Sequence, residues 1–149
     1  MACNDYEWTP TTHDDVLKVV IWFQNKFDLR DWAVTVDTAE APPGRFKDED
    51  NGSQVCARCE MVLRYHSALM WLPLARLEKF NVNAIQSAMH EMLHIFCDAR
   101  RVETDDETND NPIECLIIGL ESAVYQLYCW EHKVKIPKLR TDVWTKVSL

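Results

Sequence analysis

Residues 83–99 read NAIQSAMHEMLHIFCDA, and the rest of the chain is best read outward from this stretch. Ile85, Met89, Met92, Leu93 and Phe96 recur at helical spacing and predict one buried stripe. Asn81 or Asn83 is placed to cap the helix. Inside it lies His90-Glu91-Met92-Leu93-His94. Histidines at i and i+4 project from the same helical face, so both imidazoles can reach one ion. Glu91, rotated by about 100° from His90, falls beside such an ion rather than on it. A carboxylate there can hold a water and take its proton, and zinc lowers the pKa of that water to about 7. With five histidines and eleven glutamates in 149 residues, chance produces the pattern in roughly one shuffled sequence per hundred. The match is therefore specific.

Upstream, Thr11 or Thr12 is a candidate N-cap, followed by Asp14 and Asp15 in a first helical turn and by Val16, Val20, Phe23 and Phe27 on one face. Residues 32–37 alternate and are β-branched, which predicts a strand. Residues 41–53 hold Pro42, Pro43, Gly44 and Gly52 and read as a loop. From Val55 an alternation places Ala57, Cys59, Met61, Leu63 and Tyr65 on one face, with Arg58, Glu60, Arg64 and His66 on the other. A second apolar run, Ala68–Leu72, stops at Pro73, and the two runs are expected to be antiparallel neighbours turning near His66 and Ser67. After an acidic, loop-like stretch over 98–111, Asn111 and Pro112 open a helix over 112–130. Its expected core stripe is Ile113, Leu116, Ile117, Leu120, Val124 and Leu127. The order predicts a single α+β domain over 1–149: an N-terminal helix, a small three-stranded, mostly antiparallel sheet, two further helices and a basic tail over 131–149.

Composition narrows the function classes. The net charge is −8, from 16 basic and 24 acidic side chains, which argues against a nucleic-acid backbone as the main partner. No apolar run approaches the roughly 20 residues needed to cross a bilayer, and no basic stretch followed by an apolar one opens the chain. We therefore expect a soluble, cytoplasmic protein without a membrane partner; nothing in the sequence fixes an oligomeric state. Six cysteines, Cys3, Cys56, Cys59, Cys97, Cys115 and Cys129, are expected as reduced thiols. Cys56 and Cys59 form one Cys-x-x-Cys pair without the second pair a structural zinc site needs. The acidic loop with Glu103, Asp105, Asp106, Glu107 and Asp110 lacks the spacing and glycine of an EF-hand, and reads as solvated. Of the six tryptophans, all but Trp144 are expected in the core.

The His90–His94 motif on a helix behind a pair of strands resembles the HExxH zinc metallopeptidases, the zincins, over residues 55–128. The metzincin branch is excluded, because Cys97 and Arg100 stand where glycine and histidine belong. The gluzincin pattern places a glutamate about twenty residues on, at Glu114, with Glu121 two turns further as an alternative ligand or a supporting carboxylate. The aspartate of that pattern is replaced by Ile118, leaving Glu121 or Asp98 to orient a ligand. The strand pattern is similar to compact phage and bacterial metallopeptidases of the ImmA and SprT types. The resemblance implies a minimal zincin-like domain and one zinc ion on His90, His94 and Glu114. It implies Glu91 as general base and then general acid, acting on a protein or peptide substrate. It also implies an edge strand that holds the peptide, for which Ala68–Leu72 is the candidate. Tyr65, His66, Tyr125, Tyr128 and His132 are candidate oxyanion donors. A SprT-like role on DNA-bound proteins is disfavoured by the acidic charge and the missing cysteine ribbon. Two other readings compete: a non-catalytic binding or regulatory protein on a zinc-binding zincin scaffold, and a structural zinc domain closed by a cysteine such as Cys97.

Overall fold

Thr12 and Asp15 cap each other's backbone. The Thr12 hydroxyl accepts from the Asp15 N–H at 3.2 Å, and the Asp15 carboxylate accepts from the Thr12 N–H at 2.9 Å. This capping box starts α1 (His13–Lys26) in the computed structural model, which describes residues 11–44, 57–100 and 112–132. Val16, Val19, Val20 and Phe23 are buried on one face of α1. Phe27 stacks on Phe23 at 4.3 Å between ring centroids and meets Phe96 edge-on at 5.6 Å.

The sheet contains β1 (Ala33–Asp37), β2 (Arg58–Val62) and β3 (Ser67–Trp71) in the order β1-β3-β2. As expected, β2 and β3 are antiparallel, with Cys59 opposite Met70 and Met61 opposite Ala68. The alternation expected to reach Tyr65 ends at Val62: Leu63–Tyr65 form a 3₁₀ turn, and His66 closes it with a left-handed φ of 47°. Leu63 and Tyr65 are consequently exposed. β1 joins β3 in parallel, Val34 opposite Ala68 and Val36 opposite Met70, so the sheet is mixed, with one ladder of each kind. The chain from β1 to β3 includes β2, long enough for the crossover a parallel pair requires. β3 is thus the central strand, and Ala68–Leu72 cannot be the peptide-holding edge. Its buried Ala68, Met70, Trp71 and Leu72 suit a strand covered on both sides. Among the described residues β2 is the edge on the other side of β3 from β1.

Pro73 ends β3 and also serves as N-cap of a short helix, α2 (Leu74–Lys79), which the sequence reading lacks; Leu77 anchors it. Asn81, at φ 57°, lies just beyond α2. Asn83, not Asn81, caps α3 (Ala84–Ala99): its side chain accepts from the Gln86 N–H at 3.1 Å. Ala88, Met89, Met92, Leu93, Ile95 and Cys97 bury α3 against its neighbours, chiefly α1 and α4 (Pro112–His132). In α4 the buried residues are Ile117, Val124, Tyr125 and Cys129, while Leu116, Leu120 and Leu127 are exposed. The core stripe expected for 112–130 is therefore rotated, because α4 carries two apolar faces and packs with only one. At its end Glu131 accepts from Trp22 Nε1 at 2.6 Å and pairs with Lys26, tying α4 to α1. Trp32 and Trp71 are buried, but Trp130 is 77% exposed, contrary to the expectation for it. No helix of the described residues is long and apolar enough to cross a membrane. The readings for residues 1–10, 45–56, 101–111 and 133–149, including Cys3, Cys56, Trp8 and Trp144, fall outside the described residues.

Candidate metal centre

His90 and His94 stand on successive turns of α3, their ring centroids 5.0 Å apart. Asparagine at the cap and unbroken apolar packing beneath fix the helix that sets this spacing. Glu114, in the first turn of α4, reaches across to both: Oε1 is 2.8 Å from His90 Nε2 and Oε2 is 2.9 Å from His94 Nε2. Ligand atoms of the three residues lie within 4.8 Å of one another, the one such group of His, Cys, Asp or Glu found among the described residues. Glu121 lies behind His90, with Oε2 2.7 Å from His90 Nδ1, while Gln86 Nε2 donates to its Oε1 at 3.4 Å.

The tautomer of His90 follows from chemistry. An ionised carboxylate only accepts, so Nδ1 carries the proton toward Glu121. In the neutral ring Nε2 is then a lone pair facing Glu114. Without a metal the short contacts of both Nε2 atoms with Glu114 suit N–H···O hydrogen bonds; with both Nε2 atoms free of a proton, the same three groups can converge on one cation. The two rings shift in opposite directions. The hydrogen bond to Glu121 holds the His90 pKa above its ordinary value against the effect of burial. Burial lowers that of His94, favouring the neutral ring that binds metals. Two imidazoles, one carboxylate, and a second carboxylate orienting a ring fit a divalent-ion site of the open, three-ligand kind.

The site lies in a cleft of about 720 Å³. Arg58, Cys59 and Met61 of β2 form one wall, the cap residue Asn83 with Gln86 and Ser87 of α3 another, and Glu91 lines it beside the histidines. Glu91 is 9% exposed. Burial pushes its carboxyl up to about 7; the nearby His90 and Arg58 charges pull it down, while Glu114 and Glu121 push it further up. Burial likewise pushes the Cys59 thiol up to about 12, which makes it a neutral wall residue rather than a reactive thiolate.

The structure thus brings His90, Glu91, His94, Glu114 and Glu121 together, and it separates the two glutamates of α4 into different positions around His90. Other expected contributors are elsewhere. Asp98 lines a separate cavity of about 290 Å³ with Asp28, Arg64 and Arg100. Cys97 is buried in the core, outside the donor group. None of the five candidate oxyanion donors lines the cleft. His66 pairs with Asp31 at 2.6 Å and stacks on Trp32. Tyr65 is exposed on the 3₁₀ turn. Tyr125 accepts from Asn83 Nδ2 at 2.9 Å, and Tyr128 and His132 pack around Trp22. Sequence reading missed Gln86 and Arg58. Gln86 stands one turn before His90, so the same i+4 rule that paired the histidines finds it. Arg58 had no such signal, because it sits on the polar side of its strand's alternation. Comparison with protein-family models, with curated proteins and with solved structures gave no match, so the geometry of this cluster carries the functional reading alone.

Proposed function

We propose that this chain is a zinc-dependent peptidase that hydrolyses peptide bonds in a protein or peptide substrate, with Glu91 as general base. The observation that carries this reading is Glu91 itself, a carboxylate 9% exposed beside the His90–His94–Glu114 group. Burying a carboxylate is unfavourable, so packing alone disfavours it at that position, and a scaffold that only binds a partner has no need of it. His90, His94 and Glu114 would hold the zinc. Bound there, zinc supplies an acidified water at neutral pH and polarises the carbonyl oxygen of the scissile bond. Glu91 takes the proton of the attacking water on a carboxylate oxygen and delivers it to the departing amine nitrogen. Glu121 keeps the proton on His90 Nδ1, so that Nε2 remains an electron-pair donor. β2 favours an extended substrate: it is an edge strand among the described residues, and its Arg58, Cys59 and Met61 line the cleft. A peptide laid beside it gains main-chain hydrogen bonds. The net charge of −8 favours such a substrate over a polyanion.

The test is cleavage of an unfolded, fluorescently labelled protein by the purified chain. Activity should disappear on treatment with a chelator and return with one equivalent of zinc. Cleavage that persists unchanged after the metal has been removed would contradict the proposal.

A further inference from the structure

Where α3 packs on α4, polar side chains meet in two neighbouring rungs. Asn83 donates from Nδ2 to the Tyr125 hydroxyl at 2.9 Å and accepts the Gln86 N–H at 3.1 Å. In the next rung Gln86 Nε2 is 3.4 Å from Glu121 Oε1, and the other oxygen of that carboxylate is 2.7 Å from His90 Nδ1. Gln86 and His90 stand four residues apart on α3, as Glu121 and Tyr125 do on α4, so each pair shares a helical face. A carboxylate only accepts, so the NH₂ end of the Gln86 amide faces Glu121. Among the described residues, the hydrogen bonds of the Glu121 carboxylate go to Gln86 and His90.

We propose that Gln86 is a positioning residue for the metal centre: it holds the Glu121 carboxylate in the orientation that keeps a proton on His90 Nδ1. This rests on the zinc site of the reading above, but not on peptide hydrolysis. A glutamate held at one oxygen alone can still turn about its terminal torsion, which has broad minima. A second attachment at Oε1 restricts the plane of the carboxylate and keeps Oε2 on Nδ1. The His90 ring then keeps Nε2 aimed at the point where His94 Nε2 and Glu114 converge. The amide suits this task because it is neutral. A lysine or arginine there would take the charge of Glu121 for itself, whereas Gln86 holds the carboxylate and leaves its charge to the Nδ1 proton. At 3.4 Å the contact is long for a hydrogen bond, so its effect on the metal is smaller than that of Glu121.

Zinc affinity of the full chain, measured by competition with a chromophoric chelator, tests this in wild type, Q86M, E121A and the double variant. Q86M keeps the length of the side chain and removes its donor. It should weaken zinc binding by about 3–10-fold, the worth of one net hydrogen bond. Added to E121A, it should change the affinity by less than about twofold, because its route to the metal is gone. In the zinc-loaded chain, NMR should show the His90 Nδ1 proton exchanging with solvent faster in Q86M than in wild type, which a residue that only packs would not alter. Helical circular dichroism should be unchanged, and Q86A replaces Q86M if that variant fails to fold. Wild-type affinity in Q86M overturns the proposal and leaves Gln86 as a wall of the cleft. An equal loss in both backgrounds overturns it too, since Gln86 would then act without Glu121. A wild-type chain that takes up no zinc overturns the metal centre itself and this role with it. A chain that shows these couplings but cleaves no substrate supports the role of Gln86 and contradicts only the peptidase reading.

Discussion

With its carboxyl pushed up to about 7 by burial, metal-free Glu91 binds a proton through a pH range in which the unfolded chain, titrating near 4.5, has already lost it. The folded state therefore holds more protons between those values, and stability contributed at this position falls as pH rises from about 4.5 to about 7. Above that window the ionised, buried carboxylate costs about 3 kcal/mol. Glu91→Gln removes the titration while keeping the shape. We expect metal-free E91Q to be more stable than wild type at pH 8 in urea unfolding, by up to that amount, with the difference shrinking toward pH 5. A constant difference across this range would contradict the account of Glu91. His90, Glu91 and His94 were legible in the sequence because one helix fixes their mutual angles without help from the rest of the fold. The oxyanion candidates were not. His66, Tyr125, Tyr128 and His132 are placed by contacts between distant segments and Tyr65 by the local 3₁₀ turn, and all five lie away from the cleft.

α4 presents Glu114 and Glu121 two turns apart, on the face packed toward α3, and the two side chains do different things. Glu114 meets both Nε2 atoms, whereas Glu121 meets His90 Nδ1 and Gln86 but not His94. Glu114→Ala should therefore lower zinc affinity by more than about 100-fold, as should His90→Ala or His94→Ala. Glu121→Ala should cost about 10–100-fold, the range for a residue that orients a ligand. Competition with a chromophoric chelator measures both, and the reverse order would show that Glu121 is the ligand. Sequence spacing suggested Glu114 but could not separate the two, because it places both on the same face of the helix. The core stripe of α4 was misread for a related reason. Leu116, Leu120 and Leu127 are as apolar and as periodic as Ile117 and Val124, and only the position of α3 decides which row is buried. Likewise the apolar richness of Ala68–Leu72 signalled a strand correctly, but its place between β1 and β2 depends on a pairing 34 residues apart in sequence, Val34 with Ala68.

Taken together, α1 and α4 flank α3 and are joined to each other through Trp22, Lys26 and Glu131, so the helix bearing both histidines is held in a packed frame. β2 and the start of α3 line the open side, and Glu91 lies where the frame and the cleft meet. The α+β order was legible because each segment carries its own period and caps; the parallel β1–β3 ladder and α2 were set by packing that no local signal reports. The most direct test of the proposed chemistry compares zinc-loaded wild type with zinc-loaded Glu91→Gln on the same unfolded protein substrate, with zinc content measured on both samples. The account predicts one zinc per chain in each and turnover by E91Q lower by about 10²–10⁴-fold, the contribution of positioned acid–base catalysis. Undiminished turnover by a fully loaded E91Q chain would contradict it.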